Sequence, residues 1–441
     1  MISTYPQPLT ARLMPAALLV GYATLIGLTA AREAWIAFVA LTALPIVWLF
    51  PVEASLGLFA FLVPFDTVAA IVQGGSGPGT TLNWYVGAIS GLMLLVTGLR
   101  RRCLGRPPRA ALWWTLLVLW ASLTTLWAVD TNAAFQKIPS VVSLLLLYLA
   151  ATSFRITRRE LALVNHLAML GGTSAAIYTI VEFWNGVGWG ARASLFLGER
   201  ATDPNMLAAS LILPMALAIQ GFLSSRTRLG RAIMGGSFVV MGLSLFLVMS
   251  RGGLIAAFVM IFVFLYRTRI DRRTIAILGI FALLIFAAPD LLFVRIGQAL
   301  ESRAQGRFDI WRAGLVVVQH YGLQGAGLEN FRVAYWHYAG SAPVFRGYNR
   351  ESHNTFLCVT GELGVVGLVV FTAALVSQLR FARDRTTTGS IPGALAHEAA
   401  CWGILASALS WDLLWLKLFW IVFMLSGVGL RVQDEPALLP L

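Results

Sequence analysis

Apolar runs long enough to cross a bilayer recur along this chain, and they decide its class before any motif is considered. Residues 82–99, 111–129, 159–181, 205–223, 232–249, 252–266 and 355–379 reach or approach the roughly 20 residues that a helix needs to span the hydrocarbon core. A segment in hydrocarbon must satisfy its own backbone N–H and C=O groups, which leaves helices or closed barrels. Barrel strands are about ten residues long and alternate apolar with polar side chains, a pattern these runs lack. The expectation is an all-α polytopic membrane protein. Composition agrees, with 58% of the 441 residues hydrophobic and 12% charged and a mean hydropathy of +0.77, a balance foreign to soluble domains.

Residues 12–30 have a single Arg12 ahead of them and run directly into further apolar sequence, so they read as a retained helix rather than a cleaved signal. Fourteen spans are conceivable, but 14–30, 34–50 and 52–71 are short or interrupted by proline, and 391–430 is hard to divide. About 12 spans (range 11–14) are expected, with both termini cytoplasmic.

Arginine-rich short loops stay on the cytoplasmic side. Five qualify: 100–109, 155–159, 226–231, 267–273 and 380–385. The opposite face then receives 72–82, 129–138, 184–204, the turn at 250–253 and the long segment 289–354. This divides the chain into an N-terminal bundle with short outer loops (1–288), an outer loop subdomain (289–354) and C-terminal helices (355–441). The glycine-rich stretch 74–79 reads as a flexible outer connector. The net charge of +13 is scattered over these loops instead of forming one patch with interleaved aromatics, so it reports topology and not nucleic acid. Cys103, Cys358 and Cys401 show no metal-ligand spacing and imply neither a disulfide framework nor a zinc site.

The informative arginines are those on the outer face. Arg192 and Arg200 lie in GARASLFLGERATDPN, Arg251 in MSRGGLIA, and the long segment adds Arg295, Arg303, Arg307, Arg312, Arg332, Arg346 and Arg350. An arginine there ordinarily snorkels to the headgroups. Arg251 stands apart, because an ionisable group between two spans is a functional candidate and the two glycines after it let a backbone or ligand approach. The guanidinium fork suits bidentate phosphate contacts, and a diphosphate is the natural guest. Thirty-one arginines against two lysines is weak support, since position carries the argument and not residue type.

A second constellation is GYNRESHNTFLCVTGELGVVGL, residues 347–368. Asn354 is a good N-cap for a helix starting near Thr355. Gly361, Gly364 and Gly367 offer a smooth stripe for close helix packing. His353 falls just outside the helix N-terminus, where the dipole disfavours imidazolium and attracts anions. A neutral ring there can accept a proton as a general base. His337 in YWHY is the main rival, set among aromatics that read as an interfacial belt; His166, His320 and His397 are weaker. No Asp-x-Asp pair, His-x-x-x-His or outer carboxylate cluster is visible, so no metal is expected. Without a Walker-type loop, a nucleotide-driven pump is disfavoured.

The succession RASLFLGERATDPNMLA (192–208), SRGG (250–253), RFDIWRAGLVVVQHYGLQGAGLENF (307–331) and SHNTFLCVTGELGVVGL (352–368) resembles the O-antigen ligase and polymerase superfamily of bacterial surface-polysaccharide membrane proteins. The resemblance implies a GT-C type glycosyltransferase bundle with one periplasmic helical subdomain over a lateral groove, in the inner membrane. It implies transfer of a glycan from undecaprenyl diphosphate without metal or other cofactor. Carried over to this sequence, Arg192, Arg200 and Arg251 would grip the diphosphate, Arg303 or Arg307 would add a further positive contact, and His353 would activate the acceptor hydroxyl. Asn205, Trp311, Tyr348 and Asn354 would support them.

The expected reaction is an inverting displacement at the anomeric carbon by a hydroxyl of the lipid A core oligosaccharide, the O-antigen ligase reaction. Compact length favours that over an O-antigen polymerase or a protein O-oligosaccharyltransferase. A lipid-linked saccharide flippase is the reading from another class, and it is disfavoured because Glu53, Asp66, Glu182, Glu398 and Asp412 fall near span ends instead of the midplane. The expected partners are the lipid-linked O-antigen, the lipid A core acceptor and membrane lipid, with no nucleic acid and a monomeric chain.

Overall fold

The computed structural model describes residues 50–66, 82–188, 192–197, 200–268, 279, 306–389 and 391–431, with backbone alone at Leu82, Asn83, Leu197 and Arg200. The expected spans at 14–30 and 34–49, the connector at 74–79, and Arg295 and Arg303 lie outside these residues.

The described chain is helical almost throughout. In order come α1 (Glu53–Phe65), α2 (Leu82–Arg100), α3 (Ala110–Leu123), α4 (Thr131–Ser153), β1 (Arg155–Ile156), α5 (Arg158–Trp184), β2 (Phe196–Leu197) and β3 (Arg200–Ala201). Next are α6 (Pro204–Ser224), α7 (Arg228–Val248), α8 (Arg251–Arg267), α9 (Arg307–Tyr321), α10 (Phe331–Tyr338), α11 (Thr355–Thr388), α12 (Ala394–Ala408), α13 (Lys417–Gly427) and β4 (Gly429–Leu430). By length and composition α4, α5, α6, α7 and α11 can each cross a membrane.

Short polar side chains start these helices by accepting the orphan N–H groups of the first turn. Asp130 caps α4, so the helix begins inside the stretch 129–138 expected to be an outer loop. Thr157 and Glu160 form a capping box on α5, and Asp203, Thr227, Ser250 and Asn354 cap α6, α7, α8 and α11.

The bundle packs α8 on α12, α3 on α11, and α7 on both α5 and α6. Inside it, Trp114 and Trp420 meet with ring centroids 5.2 Å apart. Gln378 joins three helices there: its Oε1 accepts from Tyr148 (2.7 Å) and Trp114 (3.4 Å), and its Nε2 donates to Ser426 Oγ (2.9 Å) and the Phe423 carbonyl (3.2 Å). Every donor and acceptor site of the amide is used, as a polar group in hydrocarbon requires.

Helix α11 departs from expectation. Gly364 has φ +69° and ψ −172°, which breaks the helix. The loop after α9 fills the break: Ala326 and Gly327 donate to the carbonyls of Gly361 and Glu362, both at 2.8 Å, while Val365 and Val366 donate to the carbonyls of Gly322 and Leu323. Trp120 Nε1 takes the Leu363 carbonyl at 2.8 Å. The reading of Gly361, Gly364 and Gly367 as one smooth stripe is corrected: Gly364 is the point of rupture, and a Cβ there would lie 2.0 Å from the Leu323 oxygen.

The basic loops assemble at one end. Arg101 pairs with Glu160 at 2.7 Å, β1 pairs in parallel with β4, and Arg385 donates to the Ser426 carbonyl at 2.8 Å. Segments 100–109, 155–159 and 380–385 therefore share one face, although 380–385, expected to be a loop, is the last part of α11.

Candidate active site

At the other end, the turn before α11 is clamped to the α12–α13 connection. The Asp412 carboxylate accepts from Ser352 Oγ and from Asn354 N (3.0 Å) on one oxygen, and from His353 N (3.2 Å) on the other. Thr355 Oγ1 donates to the Trp411 carbonyl at 2.7 Å and accepts from Leu413 N at 2.9 Å. Trp311 Nε1 donates to the Ser352 carbonyl at 3.0 Å, adding α9 to the clamp. Asn354 caps α11 through Phe356 N and Leu357 N.

Held from three sides, His353 takes a left-handed conformation, φ +50°. For a residue with a Cβ this costs about 1–2 kcal/mol, so the clamp over-determines it. Its ring lies against Trp411, centroids 4.7 Å apart. Nδ1 is buried and has no hydrogen-bond partner among the described residues. Burial pushes the imidazole down to about 4, the Arg307 guanidinium pushes the same way, Asp203 opposes, and Arg350 adds a smaller push down. The helix-terminus argument gave the same direction, but desolvation and arginines supply it. The ring is neutral near pH 7.

Arg307 opens α9 and is itself lowered, first by burial and then by Arg251, against Asp203 and Asp412. Arg251, Arg307, Asp203, Asp412 and His353 thus share one electrostatic field. Arg251 is exposed at the first position of α8. The glycines after it serve helix packing: a Cβ on Gly252 would meet Ser410 Oγ at 2.0 Å, and one on Gly253 would meet Ala208 Cβ at 2.5 Å. Of the two guests expected there, a neighbouring chain segment or a ligand, the structure brings neighbouring segments.

Arg192 braces this end from the side. Its Nε donates to the Val248 carbonyl at 3.0 Å and its Nη2 to Asn205 Oδ1 at 3.3 Å. Ser250 Oγ donates to the same Asn205 oxygen at 2.9 Å. Arg192 therefore reaches the site through Asn205 and Ser250, the cap of α8. Arg200 contributes backbone to the β2–β3 pair. Tyr348 packs on Trp336 at 4.8 Å, among exposed aromatics around α10, and His337 is exposed on α10.

A cavity of about 520 Å³ opens beside the clamp, lined by Asp203, Thr355, Trp411 and Asp412 from the site and by Lys137, Glu329, Arg332, Glu351 and Glu362 beyond it. Lys137 pairs with Glu329 at 2.7 Å, and Arg332 lies 3.7 Å from Glu351. Glu362 Oε1 accepts from Phe331 N at 3.2 Å. A carboxylate cluster at this end of the bundle was not expected. Folding creates one by bringing together the cap of α6, the α9–α10 loop, α11 and its approach, and the α12–α13 connection. Among the described residues no group of acids, histidines and cysteines is arranged to hold a metal ion.

Fold and site together define a helical membrane protein with a charged catalytic-type pocket at one end of its bundle. Residues 236–372 match the family model described as O-antigen ligase, a similarity over about a third of the chain that supports the O-antigen ligase and polymerase superfamily and an activity of that type. The matched stretch contains Arg251, Arg307, His353 and Asn354; Arg192, Arg200, Asn205 and Asp412 lie outside it. A comparison with curated proteins gave no match.

Proposed function

We propose that the protein is the ligase member of this superfamily: it transfers O-antigen glycan from undecaprenyl diphosphate to the lipid A core at the periplasmic face of the bacterial inner membrane. The observation that carries the reading is His353, a neutral histidine with an unshared buried Nδ1, held in a strained turn between Arg307 and the acidic, aromatic-walled cavity. The acceptor sugar sits in that cavity, with hydroxyls toward Glu351 and Arg332 and a ring face toward Trp411. His353 removes the proton of the attacking hydroxyl. Its oxygen bonds to the anomeric carbon as the bond from that carbon to the diphosphate oxygen breaks, so the centre inverts. The departing diphosphate keeps the electron pair, and Arg251 and Arg307 stabilise the growing charge in a site of low water content.

A neutral imidazole near 4 is a weak base, and the substrate corrects this. A bound diphosphate offsets Arg307 and Arg350 and raises the basicity of His353 in the complex. The test is a reconstitution of purified protein with a lipid diphosphate-linked glycan and core lipid. A single capped core product supports the ligase. Lengthening of the donor glycan would make it a polymerase, and movement of the lipid-linked glycan without any covalent product would make it a transporter.

A further inference from the structure

At the end of the bundle that carries the arginine loops, a second cavity of about 710 Å³ lies between the start of α3, the end of α4 and the later part of α11. It is remote from His353: the unbroken stretch of α11 from Val365 to Arg380 alone rises roughly 22 Å at 1.5 Å per residue. Two chemistries line it. Arg106, Arg109, Arg155 and Arg380 form one side, with Asp384 the only carboxylate on the lining. Trp113, Ala373, Val376 and Phe381 form the other.

The arginines are not spent on acids. Arg106, Arg109, Arg155 and Arg380 make no ion pair among the described residues, and neither does Asp384. Arg155 is held in place by donating Nη2 to the Arg106 carbonyl at 3.1 Å. Neighbouring Arg385, by contrast, is committed to the carbonyls of Ser426 and Val428. Four guanidiniums gathered against one carboxylate repel one another until an anion arrives.

The apolar side continues onto the outward surfaces of two helices. Trp113 is 36% and Val376 40% exposed, and Leu112, Leu116 and Val369 extend the same faces. In a chain of this hydropathy those faces meet acyl chains. A charged recess that opens sideways into hydrocarbon fits a ligand that is anionic at one end and aliphatic at the other.

We propose that this cavity binds an anionic phospholipid of the surrounding leaflet, with its phosphodiester held by Arg106, Arg109 and Arg380 and its acyl chains along Trp113, Ala373 and Val376. Basic recesses between membrane helices attract such headgroups, and the guanidinium fork gives paired bonds to phosphate oxygens. The apolar wall selects a lipid over a free phosphate. The bound lipid joins α3 to the far half of α11.

The test is native mass spectrometry of the full-length protein in detergent, titrated with phosphatidylglycerol or phosphatidylcholine. Phosphatidylglycerol should form a saturable adduct that phosphatidylcholine does not. Replacing three arginines together (R106Q/R109Q/R380Q) should weaken that adduct on the order of 100-fold, at roughly fivefold per basic residue. Ala373→Trp, which fills the apolar wall and leaves every charge in place, should weaken it as well and decides the matter where the triple variant does not fold. Equal phosphatidylglycerol binding by the parent and a folded variant overturns the proposal. So does equal binding of the two lipids, or displacement of the adduct by millimolar inorganic phosphate, which would make the site one for free anions.

Discussion

The carboxylate of Asp412 accepts the backbone N–H of His353 at 3.2 Å, across 59 residues of sequence. One acidic side chain thereby sets the turn that aims the histidine. Asp412→Ala leaves the His353 N–H unmet, at about 1–3 kcal/mol, and takes the carboxylate from Ser352 Oγ and Asn354 N, which keep only their bonds to the Asn354 carbonyl and to Ser352 Oγ. The expected result is a fall in transfer turnover of about 10- to 100-fold, with the protein still extracted as folded material and KM little changed. Turnover at the parent level would show that His353 keeps its conformation without the clamp.

The burial and arginines that hold His353 near 4 give a specific pH profile. The base works only when neutral, so activity is lost as pH falls through its pKa. In the free protein that limb lies near 4 and appears in kcat/KM; in the complex the diphosphate offsets Arg307 and moves the limb of kcat to higher pH. Coincident limbs for the two parameters would contradict the offset.

Arg307 and Arg192 should separate in their behaviour. Arg307→Ala removes charge beside the reacting centre and a cause of the low histidine pKa, so kcat/KM should drop about 10²- to 10³-fold and its acidic limb should rise. Arg192→Ala removes a brace between Val248 and Asn205; thermal stability should fall while the pH profile stays in place. A shifted profile in the Arg192 variant would assign that residue a direct part.

Gly364→Ala tests the break in α11. With φ +69° and ψ −172° the position is open to glycine alone, and the added Cβ would lie 2.0 Å from the Leu323 oxygen. Destabilisation of about 3 kcal/mol or more, read as a lower melting temperature or loss of folded protein, is expected. An unchanged melting temperature would mean that the helix can close over the loop.

Much of this was legible in the sequence because it rests on local signals. Apolar run length announced α5, α6, α7 and α11, and Asn354 announced its own cap. The arginine loops at 100–109, 155–159 and 380–385 were assigned one face, and the contacts of Arg101, Arg155 and Arg385 unite them. What stayed hidden depends on distant segments meeting. Asp412 looked like a charge at a span end, because the apolar stretch 391–430 conceals the break between α12 and α13 that delivers it to His353. Glycines 361, 364 and 367 read as a packing stripe, since nothing within that stretch reveals that residues 322–327 will occupy a gap there. Asp203 lies within the stretch 192–208 with nothing local to single it out, and its electrostatic pull on His353 emerges once α6 and α11 share an end.

The interruption at Gly364 also divides α11 mechanically. Its first part, from Asn354 to Leu363, is fastened to Trp120, Ala326 and Gly327, while the remainder is fastened separately, through Gln378 to α3, α4 and α13 and through Arg385 to the Ser426 carbonyl. The turn at His353 and the polar knot at Gln378 are thus placed by two independent sets of contacts, one on either side of the glycine.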